Sequence, residues 1–454
     1  MTNKKNKIIL IDLPVCPELV STADKYVPHM GLLSLSASLE LNGYSPIILD
    51  FAIRILLNQE LIDLINLEQP VFVGISTYTE NFNTILNLAK IIKLNCPNTP
   101  IVLGGTHVSL VPEDGMHLQY VDFLVIREGE ATVVELAEAI STNQSTIAYA
   151  NIMGLCYRSG DSSIKNKQRV LVKDLNILPI IKRDFILNDI ENKEIGIVTS
   201  RGCPGRCIYC AATVMSGARY RAREIDCVFM ELVQLKSIYH KNFSVLILDD
   251  TFTILPERIL RFVELINLHS MDLAWWCSSR VDAMTEELLT KMADSGCLGV
   301  TFGIESGNQE VLNKIHKNMD LGLARKIIGY TESAGMRASL NFMLGHFCDT
   351  KESMYDTLRF MKQMFYMHEA NIRFSYNTPY PGTWQYIKKE EIGIKMLYDY
   401  DHFVAEPKIE TPNFTVFDQL EIGLKVIRFI NKYDYPVRQI NYTLKENDLW
   451  GKKV

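Results

Sequence analysis

The sequence predicts an α/β protein built as a doubly wound parallel sheet at the N-terminus, then a partial parallel (β/α)6 barrel, then a small C-terminal cap. Three observations predict it. Short apolar runs recur through residues 1–145 and again through 191–385, and strands covered on both faces read as such continuous runs. Stretches of helical period separate them, which implies parallel strands with crossover helices. The second set has six runs, fewer than the eight of a closed barrel.

The elements follow in order. Ile8–Leu13 is the first apolar run, and Met30–Leu41 has helical spacing and stops at Asn42-Gly43. Pro46–Asp50, Val71–Ser76, Ile101–Leu103 and Phe123–Ile126 are the next four strands, with helices at Asn81–Leu94 and Ala131–Ile140. Residues 146–190 change character: a turn at Ser159–Ser162 and a strand at Val170–Val172 predict a hairpin and linker. Strands of the second half are expected at Ile195–Thr199, Val245–Leu248, Leu273–Trp276, Val300–Ile304, Ser339–Leu344 and Ile372–Tyr376. Helices are expected at Glu224–His240, Pro256–Leu268, Glu286–Ala293 and Ser353–Phe365. Residues 386–454, rich in Tyr, Lys and Ile without a clear period, form the cap.

Composition excludes several classes. The chain of 454 residues has a net charge of −6, so no global basic field favours nucleic acid. No stretch approaches the roughly 20 apolar residues of a membrane span, and Ile8–Leu13 is interrupted by Asp12 and followed by Pro14, unlike a signal peptide. The expected location is the cytoplasm. Ten cysteines are too dilute for a disulfide scaffold, but three of them cluster.

Those three lie in Thr199-Ser-Arg-Gly-Cys203-Pro-Gly-Arg-Cys207-Ile-Tyr-Cys210-Ala-Ala212. Thiolates are the usual ligands of a four-iron cluster, which normally takes four. Three leave one iron open to a substrate, as an open position does in catalytic metal sites. Gly202 and Gly205 allow a tight backbone, and the loop follows a predicted barrel strand, where active sites lie. The competing reading, a zinc site or three buried thiols, lacks a fourth Cys or His nearby.

Here the chain resembles the radical S-adenosylmethionine (SAM) superfamily, through Cys203, Cys207, Cys210 and the aromatic Tyr209 before the third cysteine. The resemblance implies a [4Fe-4S] cluster on the three cysteines, SAM chelated to the open iron, and reductive cleavage of SAM to a hydrogen-abstracting 5′-deoxyadenosyl radical. It implies SAM-binding roles for Tyr209, for Asp249 and Asp250 after the second barrel strand, for Arg280 after the third, and for Glu305 and Ser306 after the fourth. Individually each has an ordinary reading, an acidic helix start or a solvated charge. Gly345-His346-Phe347-Cys348-Asp349 stands where many relatives carry Gly-x-Pro-Gly.

The N-terminal sheet lacks the dinucleotide glycine fingerprint, since Leu13 is followed by Pro14-Val15-Cys16-Pro17. With Gly74–Tyr78, Gly104–Ser109 and Arg127–Glu130 at its strand ends, it resembles the Rossmann-like cobalamin-binding domain of cobalamin-dependent radical SAM enzymes; this similarity runs from about residue 8 to residue 385 and includes Thr378–Thr383. It implies cobalamin contacts from Ser76, Tyr78, Gly104, Gly105, Thr106, His107, Glu128 and Gly129. The Asp-x-His-x-x-Gly motif that supplies a lower cobalt ligand in many cobalamin proteins is absent. His107 is an isolated histidine beside the expected tail site, and Tyr78 is either a lower-face residue or a packed loop tyrosine.

The family implies methylation of an unactivated carbon of a small molecule, lipid or peptide through the 5′-deoxyadenosyl radical and methylcobalamin. The alternative is a cyclase or rearrangement enzyme using cobalamin without methyl transfer. A methylthiotransferase fits less well, because Cys16, Cys96 and Cys156 do not form its second-cluster pattern, and a non-catalytic cobalamin sensor needs no open iron. A reductant such as flavodoxin or ferredoxin is the expected protein partner. No other catalytic residue is legible, and the substrate is not encoded in any motif.

Overall fold

The structure, a computed structural model, describes residues 6–14, 28–51, 56–116, 119–142, 146–160, 162–182, 194–239, 243–397 and 406–432. Cys16, with its neighbours Val15 and Pro17, and residues 398–405 and 433–454 of the expected cap lie outside them. The chain forms two compact units, Met1–Cys203 with Ala211–Phe243, and Pro204–Cys210 with Ser244–Val454.

In the first unit β1 (Lys7–Asp12), β2 (Ser45–Asp50), β3 (Val73–Thr77), β4 (Ile101–Gly105) and β5 (Phe123–Val125) pair in parallel. Their order is β2-β1-β3-β4-β5. Ile8, Ile9, Leu10 and Ile11 are all buried, as expected of a strand covered on both faces. Phe72, Val102, Leu32, Leu39 and Leu136 build one side of the core. The strand order reverses between β1 and β3, so the crevice beyond their carboxyl ends is the switch point where such sheets bind ligands.

A hairpin of β6 (Leu155–Ser159) and β7 (Ser162–Lys165) extends this sheet by antiparallel pairing with β5. Ser159 and Ser162, the ends of the expected turn, pair with each other, but Val170–Val172 is not a strand. The backbone bonds of Val172 go to side chains instead: its N–H donates to Glu128 at 2.8 Å and its carbonyl accepts from Arg221 at 2.6 Å. β8 (Glu194–Ile197) is the first strand expected of the barrel. β9 (Ser200–Arg201) and β10 (Arg221–Ala222) form an antiparallel ribbon on either side of the three-cysteine motif in sequence.

In the second unit β11 (Ser244–Ile247), β12 (Ala274–Ser279), β13 (Cys297–Glu305), β14 (Arg337–Leu344) and β15 (Asn371–Tyr376) pair in parallel in chain order. Helices Pro256–Leu268, Glu286–Asp294, Leu321–Ser333 and Lys351–His368 connect them. Winding in one direction without a reversal is the arrangement of a barrel rather than of a doubly wound sheet, and with β8 the six expected strands are all found. Phe252, Phe262 and Trp275 pack edge to face in the core.

The cap has more order than its composition implied. Val416–Lys432 is a helix whose buried Gln419, Ile422, Gly423, Val426 and Phe429 form one stripe. Phe429 meets Phe365 and Tyr366 at ring separations of 5.1 and 5.7 Å. Gly423 is required, because a Cβ there would stand 1.8 Å from the Tyr376 hydroxyl.

Candidate active site

The cluster motif starts at a constrained backbone. Gly202 has φ +86°, and a Cβ on it would stand 2.1 Å from the Arg219 carbonyl oxygen. Downstream, the Cys210 N–H donates to the Cys207 carbonyl, the Ile208 N–H to the Ile315 carbonyl, and the Gln385 N–H to the Ile208 carbonyl, each at 3.2 Å. None of Cys203, Cys207 and Cys210 is in a disulfide; Cys207 is buried and the other two are partly exposed.

Around Cys207–Cys210 the second unit gathers a set of polar groups at the strand ends. The Tyr209 phenol bonds the Cys207 side chain, and its pKa is raised by burial first, then by Glu305 and the two thiols. Glu305 ends β13 at φ +69°, where the pairing with β14 shifts register. Its carboxylate takes the Lys317 ammonium at 3.1 Å. His346, beyond the end of β14, is fully buried with its ring 5.4 Å from that of Tyr209. Neither ring nitrogen has a hydrogen-bond partner, and burial, reinforced by Lys317, lowers its pKa to about 3. The His346 backbone N–H donates to the Asp349 carboxylate at 2.8 Å, fixing the loop.

The remaining expected SAM residues are placed as follows. Asp249 is buried and Asp250 exposed beyond β11. Arg280 forms a two-pronged pair with Asp282 at 2.9 and 2.8 Å. It lines a pocket of about 550 Å³ together with Pro204, Gly205 and Arg206 of the cysteine loop and with Lys317. Ser306 is fully buried, near Thr357 at 3.2 Å and accepting from the Asn308 N–H at 3.1 Å, so its hydroxyl is engaged in its own loop.

In the first unit Ser76, Tyr78, Gly104, Gly105 and Thr106 stand at the carboxyl ends of β3 and β4. A Cβ on Gly104 would make only ordinary contacts with Val125, at 3.8 and 4.0 Å, whereas one on Gly105 would stand 2.6 Å from the Thr77 carbonyl oxygen, so this second glycine serves strand packing. Ser76 pairs with His29 at 3.1 Å; the other nitrogen of His29 accepts the Leu32 N–H, which assigns the ring proton to the Ser76 side. His107 is fully buried against Phe82, with Thr79 at 3.1 Å on one nitrogen and Asp114 at 3.4 Å on the other. Burial lowers its pKa. Glu128 is tied to Arg201 and Arg221, and Gly129 packs on Leu35 and Val125. Within the described residues, then, His107, Glu128 and Gly129 are engaged by the protein itself.

Sequence reading missed Asp12, Lys317, His346 as a site residue, Arg201 and Arg221. Asp12 had a signal: it closes the apolar run Ile8–Ile11, as Asp50 closes the next one. It lies at the switch point with one carboxyl oxygen buried and unpartnered, and burial raises its pKa to about 7. Asp12 and Tyr78 are near enough to affect each other's charge.

Both expected cofactors fit these residues. Among the described residues no three His, Cys, Asp or Glu side chains are grouped to hold a single metal ion. A four-iron cluster needs its thiolates on separate irons rather than gathered on one point, and the three thiols of a short glycine-hinged loop, none of them in a disulfide, provide that donor set. At the first sheet, hydroxyls, a phenol and an orphaned carboxyl oxygen at the strand ends suit an amide-rimmed ligand such as cobalamin.

Comparison with known proteins agrees. Residues 18–137 match the B12 binding domain family and residues 197–361 the radical SAM superfamily. The chain is 29% identical over 422 residues to an uncharacterized methyltransferase of Pyrococcus horikoshii, covering 91% of this chain and 89% of the relative. It is 25% identical over 416 residues to the anaerobic magnesium-protoporphyrin IX monomethyl ester cyclase of Synechocystis, covering 87% and 81%. Among solved structures, the radical SAM methyltransferase TsrM of Kitasatospora setae, with cobalamin and a [4Fe-4S] cluster bound, superposes with a TM-score of 0.69 at 18% identity, over 86% of this chain and 76% of that one. At that identity the likeness is one of fold. Both domains are thus matched in the expected order: the chain carries a B12-binding domain followed by a radical SAM domain, with a [4Fe-4S] cluster, SAM and cobalamin as the cofactors of these domains.

Proposed function

We propose that this enzyme methylates an unactivated carbon of a small molecule, lipid or peptide. The observation that carries the reading is the presence in one chain of a switch-point crevice with an orphaned Asp12 oxygen and a three-thiol loop beside a pocket of about 550 Å³. When bound, the cluster with SAM supplies a hydrogen-abstracting radical and cobalamin supplies a methyl carrier; the protein's part is placement and exclusion of water.

Cys203, Cys207 and Cys210 hold the cluster. Arg280, oriented by Asp282 at the pocket, offers a charge-assisted contact to the SAM carboxylate. Tyr209 and His346 form an apolar-faced wall next to the thiols, and Lys317 balances Glu305 there. Asp12, Ser76, Tyr78, Gly104 and Thr106 form the cobalamin-facing edge. The protein partner is a small electron carrier such as flavodoxin or ferredoxin. No helix among the described residues is long and apolar enough to cross a membrane, and the three thiols, none of them in a disulfide, suit the reducing cytoplasm.

The test uses methyl-deuterated SAM with the reduced holoenzyme and a cell extract. The expected result is a product that gains an intact trideuteromethyl group, with S-adenosylhomocysteine and 5′-deoxyadenosine formed in equal amounts. Turnover that forms deoxyadenosine without homocysteine product or added methyl mass contradicts methylation and makes the enzyme a cyclase or rearrangement catalyst.

A further inference from the structure

Four charges in the first unit, Glu130 buried and Glu128, Arg201 and Arg221 half-buried, join the loop after β5 to the ribbon that flanks the cysteine motif. Arg201 and Arg221 lie directly opposite each other in the β9–β10 pairing, and like charges so placed repel. Glu128 resolves the conflict. Its two oxygens take Arg221 at 2.7 and 3.0 Å, and Arg201 reaches it at 3.3 Å. Glu130 takes the other end of Arg201 at 2.5 Å and accepts from the Ser34 hydroxyl at 2.7 Å.

These side chains are 22% (Arg201), 12% (Arg221), 15% (Glu128) and 9% (Glu130) exposed, so deleting one leaves a poorly solvated opposite charge. Both acids flank Gly129 at the start of helix Glu130–Ser141, whose positive end favours them. The chain that leaves Arg201 reaches Cys203 two residues later and returns at Arg221. The acids therefore grip the base of the segment that carries all three cysteines.

We propose that Glu128 and Glu130 are positioning residues for the iron–sulfur site, holding the stem of the cysteine motif to the cobalamin-type sheet and fixing where Cys203 is presented. This rests on the assignment of the cluster to Cys203, Cys207 and Cys210. A pair that only stabilised the fold would loosen the whole first unit when weakened; a positioning clamp loosens its own stem.

Full-length Glu128→Gln/Glu130→Gln protein distinguishes these, read first by amide hydrogen exchange without iron and then after anaerobic reconstitution. Exchange within residues 200–222 should rise about tenfold, the loss expected when charge-assisted hydrogen bonds become neutral ones, while β1 and β3 stay protected and cobalamin content is unchanged. Reconstituted variant should show a KM for SAM raised about tenfold in reductive cleavage, with a smaller change in kcat. Glu128→Asp, which keeps the charge and shortens the reach, should fall between wild type and Gln, and it serves if the double variant does not fold. Unchanged exchange at 200–222, or equal loosening of β1, β3 and the stem, overturns the proposal. Wild-type protein that takes up no iron overturns the cluster assignment instead, and the exchange of the iron-free protein still decides on the clamp.

Discussion

Replacing Gly202 with Ala tests whether the cysteine motif depends on its glycine hinge. At φ +86° an L-residue sits in the left-handed region, which costs about 1–2 kcal/mol. The added Cβ would also stand 2.1 Å from the Arg219 carbonyl oxygen and 2.6 Å from the Ser216 Cβ. Neither is the end of a flexible side chain, so backbone must move, at about 1–3 kcal/mol for overpacking of this kind. The sum is about 2–5 kcal/mol. Gly217 supplies the control: its φ is +63° and nothing lies within 4 Å of an added Cβ, so Gly217→Ala carries only the conformational part, about 1–2 kcal/mol. Urea unfolding of both variants should therefore separate them by about 1–3 kcal/mol, and iron uptake should fall in Gly202→Ala and hold in Gly217→Ala. Equal stability and equal iron content in the two variants would refute the packing argument.

Asp12 has a folded pKa near 7 against an ordinary value of 3.8, so its contribution to stability is present below about pH 4 and is lost as pH rises to 7. Asp12→Asn should flatten that part of the melting-temperature profile and melt higher than wild type at pH 8; a parallel profile contradicts the burial reading. His346 has the opposite sign: its pKa falls from 6.5 to about 3, so stability is lost as pH drops through that interval. The advantage of His346→Phe over wild type should therefore grow between pH 7 and pH 4, and a constant difference sinks the idea. Gly423→Ala should detach helix Val416–Lys432, exposing it to limited proteolysis, and Tyr376→Phe should partly restore it by removing the hydroxyl that the new Cβ meets at 1.8 Å; no rescue means the clash is not the cause.

Strands were legible where both faces are covered, as at Ile8–Ile11, and where buried apolar residues alternate along the chain, as at Val300, Phe302 and Ile304. Helix Pro256–Leu268 starts and stops where its proline and period place it. The cap helix was missed because its buried stripe includes Gln419 and Gly423, which do not read as apolar. Val170–Val172 misled because β-propensity carries no information on side chains, Glu128 and Arg221, that claim the backbone of Val172. At the site, motif spacing located the cysteine loop, but the partners of each charge were beyond it. Glu128 reads as a ligand contact from its neighbours in sequence, and only the fold brings Arg201, 73 residues later, within 3.3 Å. Lys317 and His346 belong to no motif; they matter because two loops after different strands place them beside Tyr209 and Glu305.

One comparison of purified proteins tests the assignment of both cofactors most directly. Full-length wild type, produced anaerobically with cobalamin available, should carry about four irons and equimolar cobalamin, and should cleave SAM to 5′-deoxyadenosine when reduced. Protein with Cys203, Cys207 and Cys210 all changed to Ala should keep its cobalamin and lose both the iron and the cleavage. A triple variant that still cleaves SAM, or a wild type that binds neither group, would contradict the assignment.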